Sequence, residues 1–531
     1  MLNMFLRHLV FLICLSGALL CAAGWVYGDL SFWCMTPFLA LTLLGIYDLV
    51  QTKHAVLKNY PLTGHIRYML EGIRSEIRQY FIEGDHEELP FSRSARSMVY
   101  RRARNINADK SFGTLDNLYD PAHEFIAHST APVKVDPASL RVTIGGPDCK
   151  HPYSASLLNI SAMSFGSLSA RAVQALGKGA KIGGFAQDTG EGGLSKYHLE
   201  AGNDIIWEIG SGYFGCRNED GTFNRDTFAD KANDSRVRMI LVKISQGAKA
   251  GKGGILPGAK VSKEIAEVRG VPVGKDCISP AAHSAFEGPV GLMEFVKELR
   301  ELSGGKPVGF KLCVGRMVEV AAMVKAMLHT GITPDFIVID GSEGGTGAAP
   351  EEFSDHVGMP LRDGLLVVHN LLRGAGIRDK VKLGASGKII SGFDIVRILA
   401  LGADFCNSGR GFMFSLGCLM SQSCGSGNCG VGIATQDPRR QKALNVELKS
   451  GMVANFHKNT MYSLAEIMGA AGIKETSQIT PDRIMRRVSD SRIIPYSVMY
   501  NILHHGELLE GRGAHPEYRE LWAAARHDSF E

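Results

Sequence analysis

The sequence predicts an α/β protein: a (β/α)8 TIM barrel preceded by an N-terminal transmembrane helical hairpin. Three observations predict it. Two uncharged, mostly apolar runs open the chain. From residue 157, short β-rich runs alternate with helical patterns, as in a parallel sheet. Nearly every candidate strand ends in a glycine-rich or chemically active turn, as barrel strands do on the face that carries the site.

The apolar runs cover residues 9–27 and 31–47, separated by Gly28-Asp29. Each approaches the ~20 residues that span a bilayer. Trp25, Tyr27, Phe32 and Trp33 cluster at the joint, as an interfacial aromatic belt would. A signal peptide is the rival reading, supported by Arg7 and the small residues Cys21-Ala22-Ala23-Gly24. A cleaved signal does not require a second apolar run so soon. Two buried core helices are the other alternative. Lys53, Lys58, Arg67, Arg74 and Arg78 follow the second run. Positive charge stays inside, so residues 1–52 form a multi-pass anchor in the cell membrane and the large domain is cytoplasmic.

Residues 53–150 read as a basic helical and irregular linker. Arg67, Arg74, Arg78, Arg93, Arg96, Arg101, Arg102 and Arg104 either face anionic headgroups or make a solvated helix face. The barrel is placed at 151–440 and a helical extension at 441–531. Candidate strands are 157–163, 181–188, 238–245, a weak one at 277–279, 307–314, 335–340, 382–385 and 404–407. Eight strands over ~250 residues suit a (β/α)8 barrel, and a doubly wound sheet is the alternative.

The turns decide between them. They include Met163-Ser164-Phe165-Gly166-Ser167, Asp188-Thr189-Gly190-Glu191-Gly192-Gly193 and the run from Asp340 through Gly344 and Gly345 to Gly347. The loops after the last two strands are Ala385-Ser386-Gly387-Lys388 and Ser408-Gly409-Arg410-Gly411. Gly387, Gly409 and Gly411 allow backbone N–H groups to approach phosphate oxygens. Taken singly, each loop also reads as an ordinary tight turn.

Cys418, Cys424 and Cys429 follow the spacing C-x5-C-x4-C in a Gly-rich stretch. Three thiolates suit a three-iron cluster, or a four-iron cluster with an outside ligand. Zinc is the alternative, although its usual cysteine pairs are closer in sequence. Cys277, Cys313 and Cys406 read as small core residues. The 58 basic and 54 acidic residues leave a net charge of +4, too balanced for a nucleic-acid footprint. Eleven cysteines in 531 residues do not suggest a secreted disulfide framework.

Ordered motifs between 161 and 438 resemble the synthase domain of glutamate synthase. They are Thr189-Gly-Glu191-Gly-Gly, Lys243-Ile-Ser-Gln246-Gly-Ala-Lys249, Gly253-Gly-Ile-Leu-Pro257-Gly258, Ile278-Ser-Pro280, Gly344-Gly-Thr-Gly-Ala-Ala-Pro350, the cysteine triad, and Gly432-Ile-Ala-Thr-Gln-Asp-Pro438. The resemblance implies a barrel holding FMN beside a [3Fe–4S] cluster on Cys418, Cys424 and Cys429. It implies L-glutamate formation from 2-oxoglutarate and ammonia through 2-iminoglutarate. On that resemblance Gln246 and Lys249 hold 2-oxoglutarate, and Lys243 points inward toward flavin or substrate. Glu191 guides ammonium or handles a proton during imine formation. Lys311 stabilises negative charge at the N1–C2=O edge of the reduced flavin. Ser164, Gly344, Gly345, Gly387, Gly409 and Gly411 are expected around the cofactor. The bland alternatives are mobile-loop lysines, a surface acid and a snorkelling strand lysine.

The chain also departs from that family. Full-length glutamate synthases carry an N-terminal glutaminase domain and a long C-terminal β-helix domain, and neither is expected here. Nitrogen is therefore expected as free ammonia or from a separate glutaminase subunit. No GxGxxG fingerprint follows a strand, so a ferredoxin or a reductase subunit is the expected electron source. Ala385-Ser386-Gly387-Lys388 stands where the family usually has an Asp before paired glycines. An N-methylglutamate synthase-type amine transferase and a non-catalytic redox relay are the alternative functions.

Overall fold

A computed structural model describes residues 2–28, 30–87, 89–106, 109, 111–510 and 515–531. It divides into two compact units, Met1–Glu88 and Leu89–Glu531.

The first unit opens with α1 (Leu2–Val26) and α2 (Phe32–Val50), packed side by side. Asp29, in the expected joint, lies outside the described residues. Small residues set the approach of the two helices. A Cβ on Gly45 would stand 2.3 Å from Phe11, and one on Gly17 would stand 2.6 Å from Phe38. Arg7–Val26 and Phe32–Val50 are long and apolar enough to cross a membrane. Asp48, near the end of α2, is buried. It accepts from the Leu62 backbone N–H at 3.0 Å and meets His65 Nε2 at 2.9 Å.

The second unit is a closed parallel barrel of eight strands. They are β1 (Leu158–Ile160), β2 (Gln187–Asp188), β3 (Ile205–Ile209), β4 (Val237–Lys243), β5 (Val308–Leu312), β6 (Phe336–Asp340), β7 (Lys382–Ser386) and β8 (Phe405–Ser408). Pairing of β8 with β1, Asn407 against Asn159, closes the ring and excludes the doubly wound alternative.

Two strand expectations need correction. The strand expected at 277–279 is not in the barrel. Cys277–Ile278 pairs antiparallel with Ile255–Leu256 in the excursion after β4. The missing barrel strand is β3, Ile-Ile-Trp-Glu-Ile, buried at every position. A parallel strand covered on both faces has no polar alternation to mark it. In the expected strand 181–188, the first residues finish the helix Ala170–Gly183, which Gly184 ends in the left-handed conformation. Only Gln187–Asp188 joins the sheet. Residues 441–531 are helical only in part. Ile484–Ser489 and Arg492–Pro495 form a sheet with Glu124–Ile126, where strand pairing supplies backbone partners that a polar helix would not need.

The N-terminal end of the barrel is sealed. The hairpin of Arg141–Ile144 and Tyr153–Ser156 packs Ile144, Tyr153 and Ala155 against Ala186, Ile206, Met239, Leu241, Phe336, Val338 and Phe405. These barrel residues form the lower interior layers, as filled barrel cores require.

Candidate active site

Interior positions recur every second residue along a strand. Two residues beyond Ala186, Ile206, Leu241, Val338 and Phe405 stand Asp188, Glu208, Lys243, Asp340 and Asn407. Lys311 of β5 lies in register with Lys243 of β4. The layer at the C-terminal mouth is therefore polar and rich in ionisable groups where the layer beneath is apolar. Lys311 and Glu208 form a buried ion pair. Burial lowers the Lys311 ammonium pKa, but Glu208, Asp188 and Asp340 outweigh it and hold the pKa above its ordinary value. Burial, then the Glu208 charge, pushes the Asp188 carboxyl pKa well up, against Lys311 and the Gly190 backbone N–H.

The loops above this layer bring three of the expected catalytic residues together. Lys243 Nζ meets Glu191 Oε1 at 2.8 Å. The Ser279 hydroxyl donates to Glu191 Oε2 at 3.2 Å. Burial raises the Glu191 pKa, but Lys243, Arg269 and Lys249 together pull it down to about 2. Lys249, buried on the turn Gly247–Lys249, donates to the Ala348 carbonyl at 3.0 Å. Burial and then Lys243 lower its pKa to about 8, with Glu191 opposing. Gln246 precedes that turn and is half-buried. The turn itself needs glycine: a Cβ on Gly247 would stand 1.9 Å from the Gly341 carbonyl oxygen. Gly254 is constrained likewise, 1.9 Å from Glu191 Oε1.

Ser164 lies beside this group. Its hydroxyl accepts from Arg269 Nη2 at 3.3 Å, and the same nitrogen donates to the Phe165 carbonyl at 3.2 Å. Across the mouth, Gly345 lies against Arg410, whose Nη2 donates to the Glu343 carbonyl at 2.7 Å. Lys388 is half-buried; burial, then Arg410, lowers its pKa, while Glu343 opposes. A Cβ on Gly409 would have its nearest neighbour at 3.7 Å. Gly387 and Gly411 are tighter, at 3.2 Å from Leu361 and 2.5 Å from Ser408 Oγ. Gly344 sits against the Gly341 carbonyl, 3.0 Å from where its Cβ would be. Asn407 Oδ1 is buried without a hydrogen-bond partner on the last strand. Two neighbouring cations, a lone buried acceptor and a glycine-lined mouth fit a phosphate-bearing cofactor of flavin type.

Cys418, Cys424 and Cys429 are free thiols, half-buried to buried. Burial drives the Cys418 thiol pKa up to about 11, opposed by the Met420 backbone N–H and reinforced by Cys424 and Cys429. Their loop is tied down by Tyr100, whose hydroxyl donates to the Cys418 carbonyl at 2.5 Å, and by Lys260 Nζ on the Cys424 carbonyl at 2.6 Å. It packs on the loop after β6: Cβ positions on Gly347 and Cys424 would be 3.9 Å apart. Among the described residues, no three His, Cys, Asp or Glu side chains are grouped to hold a metal ion. The three thiols share one Gly-rich loop without forming a closed ligand set, and their donor chemistry, all sulfur with no nitrogen, is of the iron–sulfur type.

Sequence reasoning did not assign roles to Glu208, Arg269, Ser279 or Lys388. An acid inside the apolar run Ile-Ile-Trp-Glu-Ile was a usable signal for Glu208. Arg269 closes an ordinary helix, Lys263–Arg269, and carries no local mark.

A sequence profile of the conserved region in glutamate synthase matches residues 97–474. The glutamate synthase large subunit-like protein YerD of Bacillus subtilis is 37% identical over 509 residues, covering 88% of this chain and 96% of that protein. The archaeal-type glutamate synthase (NADPH) of Thermotoga maritima is 38% identical over 62% of this chain and 61% of its own length. The archaeal glutamate synthase (NADPH) of Methanocaldococcus jannaschii is 36% identical over 68% of this chain and 67% of its own. The chain thus spans nearly all of one relative and about three fifths of the Thermotoga protein.

Proposed function

The chain belongs to the glutamate synthase family of oxidoreductases, and from that premise we propose that it forms L-glutamate by reductive amination of 2-oxoglutarate with ammonia. The observation that carries this reading is the group of half-buried Glu191 with buried Lys243 and Lys249 at the barrel mouth. A dicarboxylate needs fixed cations, and Lys249 and Arg269 supply them beside one ionised acid. Glu191 stays a carboxylate at neutral pH, so it attracts ammonium and positions it beside the substrate. Lys243 holds Glu191 in place.

FMN would sit against Ser164, Gly344, Gly345, Gly387, Gly409 and Gly411, with its phosphate toward Lys388 and Arg410. Lys311 reaches the mouth from beneath, held by Glu208. Cys418, Cys424 and Cys429 would hold a [3Fe–4S] cluster beside the loop after β6. When bound, the flavin and the cluster supply the reducing equivalents and single-electron transfer. A ferredoxin or reductase subunit and a separate glutaminase are the partners this reading calls for. The hairpin α1–α2 anchors the protein in the cell membrane, with residues 53 onward on the cytoplasmic side.

The test uses anaerobic holoenzyme, reduced methyl viologen and 2-oxoglutarate with ammonium, glutamine or methylamine. Glutamate formed with ammonium is the expected product. A parallel assay supplies L-glutamate and methylamine without reductant. N-methylglutamate formed there with release of ammonia, and no glutamate formed from 2-oxoglutarate and ammonium, would replace this reading by an amine-transfer one. A flavin-loaded enzyme that makes neither product would contradict both.

A further inference from the structure

Beyond α2 the chain forms an arm within the first unit. Helices cover Thr63–Gly72 and Arg74–Ile77, and a π-turn follows over Arg78–Ile82. The backbone stays nearly continuous through the joint: the Ile73 N–H donates to the Met69 carbonyl at 3.1 Å, and Ile77 donates to Ile73 at 3.0 Å. Ile66, Met69, Leu70, Ile73 and Ile77 therefore share one face, at spacings of three, four, seven and eleven residues. That face is not in a core. Ile66 is 55% exposed, Met69 58%, Leu70 48% and Ile73 43%. Tyr80, Phe81 and Ile82 continue the exposed apolar surface.

Arg67, Arg74 and Arg78 line one flank of the stripe, again seven and eleven residues apart. With Leu70, Ile77 and Ile82 they border a groove of about 700 Å³, whose other charges include Glu71, Glu83 and Glu87. An apolar stripe with an arginine flank is complementary to acyl chains overlain by phosphates. The arm is also held at a fixed level. Asp48, near the end of α2, binds the Leu62 N–H and His65, one at the entrance to the first helix of the arm and one inside it. The α2 helix of 19 residues is ~28 Å long, close to the thickness of the hydrocarbon core. Its two ends thus mark two levels. Exposed Trp25, Tyr27 and Trp33 sit at one, and the arm starts from the other.

We propose that residues 63–82 form an in-plane interfacial helix, with Ile66, Met69, Leu70, Ile73 and Ile77 in the acyl boundary and Arg67, Arg74 and Arg78 on phospholipid phosphates; this rests on the reading of α1–α2 as the membrane anchor. The leaflet is the one where the chain leaves α2. The arm then adds a second membrane attachment beside the hairpin.

The test places the full chain in nanodiscs that contain phosphatidylcholine bearing a diazirine near the head end of its acyl chain. After illumination, mass spectrometry maps the lipid adducts. Adducts on Ile66, Met69, Leu70, Ile73 and Ile77, and not on Gly72 or Ser75, are expected. Adducts on α1 and α2 with none on the stripe would overturn the inference and leave the anchor standing. No adducts on α1 and α2 would overturn the anchor, and the inference with it. Ile73→Glu should cut labelling of the stripe about tenfold, without changing labelling of the hairpin or glutamate formation. Unchanged labelling of the stripe in Ile73→Glu would overturn the apolar contact. Replacing half of the lipid by phosphatidylglycerol should raise stripe labelling about twofold or more. Equal labelling in both lipids would overturn the role of the arginines.

Discussion

The two ends of the barrel are built from the same strands and serve opposite ends. At the N-terminal end, Ala186, Ile206, Leu241, Val338 and Phe405 seal the interior against the Ile144–Tyr153 hairpin. At the C-terminal mouth, two residues further along the strands, Asp188, Glu208, Lys243, Asp340 and Asn407 replace them. Burial is nearly equal: Phe405 is 0% exposed and Glu208 is 1%. What differs is how that burial is stabilised. Apolar burial is favourable in itself. Buried charge persists only when it is paired, as Lys311 is with Glu208 and Lys243 with Glu191. The lower layer seals the barrel, and the upper layer holds the charged groups that the proposed chemistry would use.

Substitutions at the two layers can break this comparison. Glu208→Ala leaves Lys311 without its direct partner and should cost about 3–5 kcal/mol. It should lower both the unfolding midpoint and the flavin content, measured by denaturant titration and absorbance. Phe405→Ala opens a cavity at the sealed end and should cost a similar ~3–5 kcal/mol. Here turnover per folded molecule should be retained. Equal loss of turnover in the two variants would erase the distinction between layers.

Lys249→Ala sharpens it from the other side. The substitution removes the buried cation proposed to bind the dicarboxylate and should lower kcat/KM about 10²- to 10³-fold. The unfolding midpoint should stay close to wild type, because among the described residues the amine's hydrogen-bond partner is a loop carbonyl, that of Ala348. The pH profile follows from the same residue. With its pKa lowered to about 8, Lys249 is charged below that pH and neutral above it. Substrate affinity is therefore present below pH 8 and is lost as pH rises through it. Lys249→Arg keeps the charge at all these pH values and should move that limb to higher pH. The smallest effect belongs to Lys388→Ala, which should weaken FMN retention by about 1 kcal/mol, measured by equilibrium dialysis.

Much of this was legible in the sequence, for identifiable reasons. Glycine-rich turns such as Thr189–Gly193 marked strand ends, because the backbone there passes close to its neighbours: a Cβ on Gly190 or Gly192 would stand 2.7 Å from Ser164. The Gly247 turn is one such case. The Lys243–Lys249 motif kept its residues together because a single strand end and its turn carry them. β3 was hidden, because a strand buried on both faces does not alternate. Cys277–Ile278 filled the vacant place in the count, although it pairs outside the barrel. Arg269 reaches Ser164 only after the excursion following β4 folds back over the mouth. No local pattern records such a return.

The measurement that bears most directly on this account is anaerobic stopped-flow absorbance. Chemically reduced holoenzyme is mixed with 2-oxoglutarate and ammonium, and the flavin band near ~450 nm is followed while glutamate is assayed. The account predicts reoxidation that needs both substrates, forms glutamate, and is slowed strongly in Lys249→Ala. Bound flavin that stays reduced in the presence of both substrates would contradict it.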